Sequence, residues 1–174
     1  MNRYATAAIA GAFALGLAAC QIAKTVDRAG DVSPADGAEA AAFGPGDSTI
    51  PSYPGVELAA TLAGNDEIPG PGNVKGSGQA TVWADTVRDQ VCYVLGVVGI
   101  NTPTAAHIHQ GAPGIAGPHV AVLEVSAGNK TEGCVNASSA LVANIADNPE
   151  TYYVNVHSEA FPDGAIRGQL KKVG

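Results

Sequence analysis

Basic residues, cysteines and histidines are all scarce in this chain, and each scarcity excludes something. Nine Lys and Arg stand against sixteen Asp and Glu in 174 residues, a formal net charge of −7. Such a chain has no basic stripe to neutralise phosphates, which excludes a nucleic-acid binder of the usual electrostatic kind. No phosphate-cradling loop and no dinucleotide fingerprint is present. The three cysteines include no Cys-x-x-Cys pair, so a thiolate metal site is the weaker reading of Cys92 and Cys134. Histidine occurs four times, always in the C-terminal half: His107, His109, His119 and His157.

That rarity makes their spacing informative. In His107-Ile108-His109 the two rings leave the same face of an extended strand, because side chains alternate with period 2. Val154-Asn155-Val156-His157 places another histidine at the end of a second such run. Neutral imidazole is the commonest metal ligand and suits borderline ions such as copper and zinc. The plainer alternative is a set of polar side chains hydrogen-bonded at the rim of a β fold.

The N-terminus reads as an address. Met1-Asn2-Arg3 is a short positive start, and Ala5 to Ala19 is an apolar run too short to span a bilayer comfortably. Leu17-Ala18-Ala19-Cys20 resembles a bacterial lipobox, so residues 1–19 are expected to be a lipoprotein signal peptide and Cys20 the lipidated residue. The alternative is an ordinary signal peptide with an incidental cysteine. Gln21 stands where an Asp would argue for the inner membrane. The expected place is therefore the cell envelope, at the periplasmic face or surface of the outer membrane, with the lipid as membrane contact. Residues 20–55 form a tether, broken by Ser33-Pro34, Gly44-Pro45-Gly46 and Tyr53-Pro54-Gly55. Outside the cytoplasm Cys92 and Cys134 are most simply a disulfide, closing a loop of roughly forty residues and stabilising by about 3–4 kcal/mol.

From Val56 the texture changes to short apolar runs separated by Gly, Pro, Asn and Asp, an all-β signature. Strands are expected near Val56–Leu62, Gly78–Trp83, Gln90–Val98, Ala105–His109, Val120–Val125, Tyr152–His157 and Ala165–Lys171. One short helix is expected over Ser138–Ala146, with Leu141 and Ile145 on one face and Asn148-Pro149 as the stop. The expected fold is a Greek-key-like sandwich or barrel of about seven to eight strands over residues 56–174. Ala106 and Ile108 oppose the two histidines, Val154 and Val156 oppose Tyr153, Asn155 and His157, and Ile166 and Leu170 oppose Arg167 and Gln169. This alternation points to a polar site on the outer wall, roofed by loops. Phe161-Pro162-Asp163-Gly164 has the composition of a tight turn. Asp66, Glu67 and Asp85 read as solvated loop acids, and Ser158 faces away from His157, which disfavours a serine nucleophile.

Taken together these segments resemble the chordin-type (CHRD) domain over about residues 56–173. The resemblance rests on Ala106-His107-Ile108-His109 with Gly111 and Gly117, on Tyr153-Val154-Asn155-Val156-His157, and on Gly164-Ala165-Ile166-Arg167-Gly168-Gln169-Leu170. It implies a β-barrel and says little about activity. A more distant similarity, to the copper site of copper/zinc superoxide dismutase, implies chemistry. There His107, His109 and His157 match the copper ligands, His119 matches the histidine shared with zinc, and Arg167 loosely matches the arginine that guides the anion. The departures limit what carries over. All four histidines are used by the copper set, leaving none for a zinc site, and Arg167 follows His157 by only ten residues.

Two functions are therefore expected alternatives. One is a lipid-anchored copper protein with superoxide dismutase-like activity, copper and superoxide being its small partners. The other is a non-enzymatic module for surface binding, adhesion or copper sequestration, whose protein partner the sequence does not name.

Overall fold

The computed structural model describes residues 49–174. The expected signal peptide, Cys20 and all of the tether up to residue 48 lie outside the described residues. The strands are β1 (Val56–Ala63), β2 (Ser77–Asp85), β3 (Gln90–Val98), β4 (Pro103–Gln110), β5 (His119–Leu123) and β6 (Lys130–Asn136). After helix α1 (Ser139–Asp147) come β7 (Tyr152–Ser158), β8 (Phe161–Gln169) and the two-residue β9 (Lys171–Lys172).

These strands form one antiparallel sheet in the order β5-β4-β7-β8-β1-β2-β3-β6, with β9 also paired to β1. Its two ends, β5 and β6, approach each other, so the sheet curls into a nearly closed barrel of eight strands. The Tyr93 hydroxyl and the Thr131 hydroxyl both donate to the Glu124 carbonyl, at 3.1 and 3.3 Å, and tie the two edges across the gap. With that closure β3, β6, β5 and β4 stand side by side, a Greek-key arrangement. The expected all-β barrel with one short helix is what forms.

Alternation decides what fills it. Leu58, Leu62, Val82, Val91, Ala106, Ile108, Val154, Val156 and Ile166 point inward and are fully buried. Each such aliphatic side chain removed from water contributes about 1.5–3 kcal/mol of gross stabilisation. Helix α1 adds Val142, Ile145 and Ala146 to the same core. Its N-cap is Ser138, whose hydroxyl accepts from the Leu141 N–H at 3.3 Å, and Pro149 follows its last turn.

Three departures from the expected layout carry reasons. Strand β6 is absent from the expected set because its residues alternate between exposed and half-buried and show no apolar side. The turn expected at Phe161-Pro162-Asp163-Gly164 is instead the start of β8, and the chain reverses at Glu159-Ala160. There Ser158 pairs Phe161 after a register break in β7. Finally, Ile50 and Tyr53, in the stretch read as tether, pack on Trp83, with the Tyr53 and Trp83 rings 5.2 Å apart.

Candidate metal centre

The outer face of β4, β7 and β8 carries the polar residues that the sequence pattern sets opposite the core. His107 and His109 stand on β4, facing Asn155 and Tyr153 of β7 in register, and Asn155 faces Arg167 of β8. His157 lies one step further along, so its ring meets His107 diagonally, with His107 Nδ1 and His157 Nε2 3.0 Å apart.

His119 reaches this face by an irregularity. On β5, Ala121 and Leu123 are buried, and strict alternation would turn His119 the same way. A bulge intervenes: Ile108 pairs Ala121, but His109 pairs His119, so Val120 is the extra residue. The extra residue swaps the face of everything before it, and His119 emerges outside. Its ring stacks on His107 at 5.2 Å.

The other three rings thus surround His107, but they are not equivalent. One ligand atom from each of His107, His109 and His157 falls within 4.8 Å of the others, and all three side chains are half-buried. His119 is exposed and joins by stacking rather than as a member of that group.

Hydrogen bonds set which nitrogen faces inward. A carbonyl only accepts, so His109 Nδ1 donates to the Gly117 carbonyl at 2.8 Å. By the same logic His157 Nδ1 donates to the Pro162 carbonyl at 2.9 Å. Each neutral ring is left with its lone pair on Nε2. His157 Nε2 accepts from His107 Nδ1, whereas His109 Nε2 is buried with no hydrogen-bond partner. Such orphans are costly, and a carbonyl on the far nitrogen is how proteins aim an imidazole at a metal. Nitrogens about 2.0–2.1 Å from a shared ion stand roughly 3 Å apart, as His107 and His157 do. For His107 Nδ1 to serve as a ligand its proton passes to Nε2, the other tautomer of the same ring.

The cluster also keeps itself uncharged. Burial, and then the nearness of His157, His109 and His119, lowers the His107 pKa from 6.5 to about 4. His109 is lowered as well, chiefly by burial. Near neutral pH both rings are in the form that binds metal.

A strap of residues 111–118 between β4 and β5 roofs this site. Gly117 sits so close to β4 that a Cβ would overlap the Gln110 carbonyl. The Tyr153 hydroxyl lies 3.2 Å from the Gly117 N–H, from which it accepts. The Tyr153 ring stacks on His109, 4.8 Å between centroids and 13° from parallel. Arg167 is only 3% exposed, packs over the Tyr153 ring at 3.4 Å, and donates to the Ala112 and Ile115 carbonyls.

Glu67 is the residue that sequence reasoning missed. Read as a solvated loop acid, it is 5% exposed and accepts from the Asn155 side-chain amide. Burial raises its pKa from 4.5 to about 7, partly offset by Arg167 and the Asn155 bond. Arg167 is close enough to favour the charged form of Glu67, while its own hydrogen bonds go to the strap carbonyls. Asp85 is likewise buried, its carboxylate held below the usual range by Arg88, whose guanidinium donates to it at 2.8 Å. Nothing in the spacing of either acid announces this.

An antiparallel barrel with an imidazole cluster on its outer wall is the class these observations define. The model of the CHRD domain family matches residues 58–170, and the chain belongs to that family. No curated protein matches the sequence.

Proposed function

We propose that the protein is a lipid-anchored CHRD protein of the cell envelope that binds one copper ion through His107, His109 and His157. The observation that carries the reading is the buried, unpartnered Nε2 of His109, directed beside two further imidazoles. Three neutral nitrogens suit Cu(I), and a fourth from His119, whose ring would turn from its stacked position on His107, would suit Cu(II). Copper when bound supplies a one-electron couple, the chemistry that dismutation of superoxide requires. The chain's own part is to hold the Gly117 and Pro162 carbonyls on the outer nitrogens and to keep the rings uncharged. Lipidation of Cys20 places this site on the membrane surface, at the periplasmic face or outer side of the outer membrane.

One observation favours a second reading of the same site, copper sequestration without turnover. Arg167, the cation that would guide an anion, is engaged with two carbonyls and an aromatic ring and is almost wholly buried. Metal analysis and electron paramagnetic resonance of the copper-loaded protein, with His109→Ala beside it, test both. One copper per chain, lost in the variant, is expected. Dismutation above that of free copper supports the enzyme, retention without turnover supports sequestration, and no retained metal overturns both.

A further inference from the structure

The least expected neighbour of the site is Arg167, whose guanidinium turns away from solvent and into the strap. Three layers lie in sequence across the sheet: Arg167 from β8, Tyr153 from β7 and His109 from β4. Arg167 Nη2 donates to the Ile115 carbonyl at 2.9 Å and the Ala112 carbonyl at 3.2 Å, pinning the middle of the strap. The Gln169 amide holds the start of the strap through the Gly111 carbonyl at 2.8 Å. At its far end Gly117 meets the Tyr153 hydroxyl through its N–H and His109 Nδ1 through its carbonyl.

We infer that Arg167 is a positioning residue: by clamping both the strap and the Tyr153 ring it holds His109 with Nε2 turned into the site. The chain of contact is continuous. The guanidinium fixes one face of Tyr153, Tyr153 fixes the ring plane of His109, and the strap fixes the carbonyl that takes the His109 Nδ1 proton. Only a planar group can lie flat on the tyrosine ring while reaching two carbonyls beside it. An ammonium offers the same charge without that shape. This separates positioning from anion guidance, since Lys retains the charge that guidance needs and loses the planar contact.

The inference rests on the copper reading only for what His109 is aimed at, and its first readout needs no metal. In the metal-free protein, nitrogen-15 spectra of the imidazoles are expected to show His109 as the Nδ1–H tautomer. In Arg167→Lys, which keeps a charge beside Glu67, the His109 nitrogens are expected to move toward a mixture of both tautomers. The copper affinity of that variant is expected to fall about 10-fold, the lower end of what losing a supporting partner costs a metal site. Arg167→Met combined with Glu67→Gln, which strands no carboxylate, is expected to do the same. Wild-type His109 nitrogen shifts in both variants would overturn the inference. Failure of the wild type to bind copper would sink the proposed function while leaving the tautomer result standing.

Discussion

The barrel has two outer walls built on opposite plans. On β2, β3 and β6 the ladders run without a break, from Ser77↔Val98 to Asp85↔Gln90 and from Gln90↔Asn136 to Gly96↔Lys130. Their outer face carries an apolar patch, Trp83, Cys92 and Val94, covered by Ile50 and Tyr53. On β5, β4, β7 and β8 the register breaks three times, and the outer face carries histidines, Tyr153, Asn155 and Arg167 beneath a strap. An unbroken ladder with an apolar cover serves stability alone. Bulges re-aim side chains at a cost in pairing, which is worthwhile only where the re-aimed groups act together.

The comparison breaks if either wall does the other's work. Cys92 and Cys134 are directly opposed in register and joined by a disulfide across a separation of 42 residues. Replacing both with serine is expected to cost about 3–4 kcal/mol in denaturant unfolding, by the loop-closure entropy released in the unfolded chain. Copper affinity should stay within about twofold of wild type. A large loss of affinity would mean the plain wall supports the site.

His109→Ala should give the mirror result. Removing one of three ligands is expected to weaken copper binding at least about 100-fold, read by competition with a chelator of known strength. Unfolding of the metal-free variant should change by less than about 1 kcal/mol, since the lost ring leaves an unpartnered buried nitrogen behind it no longer. A variant that binds copper normally would remove His109 from the site.

These two walls also differ in how much of them the sequence discloses. Strand β3 runs over the residues expected of it, Gln90–Val98, because a long apolar run admits few alternatives. The outer-face placement of His107, His109 and His157 follows from alternation alone. His119 does not, for its side depends on one extra residue in β5, and a bulge has no composition that announces it. Strand β6 hides for a different reason: an edge strand with only Cys134 and Val135 apolar and no buried residue looks like loop until Cys134 is seen bonded to Cys92. The burial of Glu67 depends on the loop through Gly72, where a Cβ would collide with the Ala165 carbonyl, folding back over β8. Such long-range folding leaves no local pattern.

The strap gives a smaller effect that sharpens the contrast. Gly117→Ala places a methyl group against the Gln110 carbonyl, so the backbone must shift and carry the carbonyl bonded to His109 with it. About a 10-fold loss of copper affinity is expected, with a change in the Cu(II) resonance parameters. Ile115→Ala, in the same strap but with its side chain 57% exposed, should leave the resonance unchanged. Identical spectra for the two variants would show that the strap does not orient the ligand.

The smallest effect is a pH dependence in which two buried groups oppose each other. With its folded pKa at about 4, His107 stays neutral where the unfolded chain is already protonated. Its contribution to stability is complete above about pH 6.5 and drains as pH falls toward 4. Glu67 works the other way, with a folded pKa of about 7 against 4.5 when exposed. The folded protein keeps a proton that the unfolded chain releases, so this contribution is complete below about pH 4.5 and is lost as pH rises through 7. Between roughly pH 5 and 6.5 Glu67 opposes His107 and the likewise lowered His109, so the metal-free protein should show a shallower rise of denaturant midpoint with pH than the histidines alone would give. Glu67→Gln keeps the oxygen that accepts from Asn155 but cannot titrate, leaving the histidine slope exposed. Its stability should rise with pH across that window more steeply than that of the wild type, the difference reaching up to about 1.4 kcal/mol per unit, the limit for the one proton of Glu67. If the variant and the wild type gave parallel profiles, Glu67 would be titrating as an ordinary surface acid and not as the buried group that accepts from Asn155.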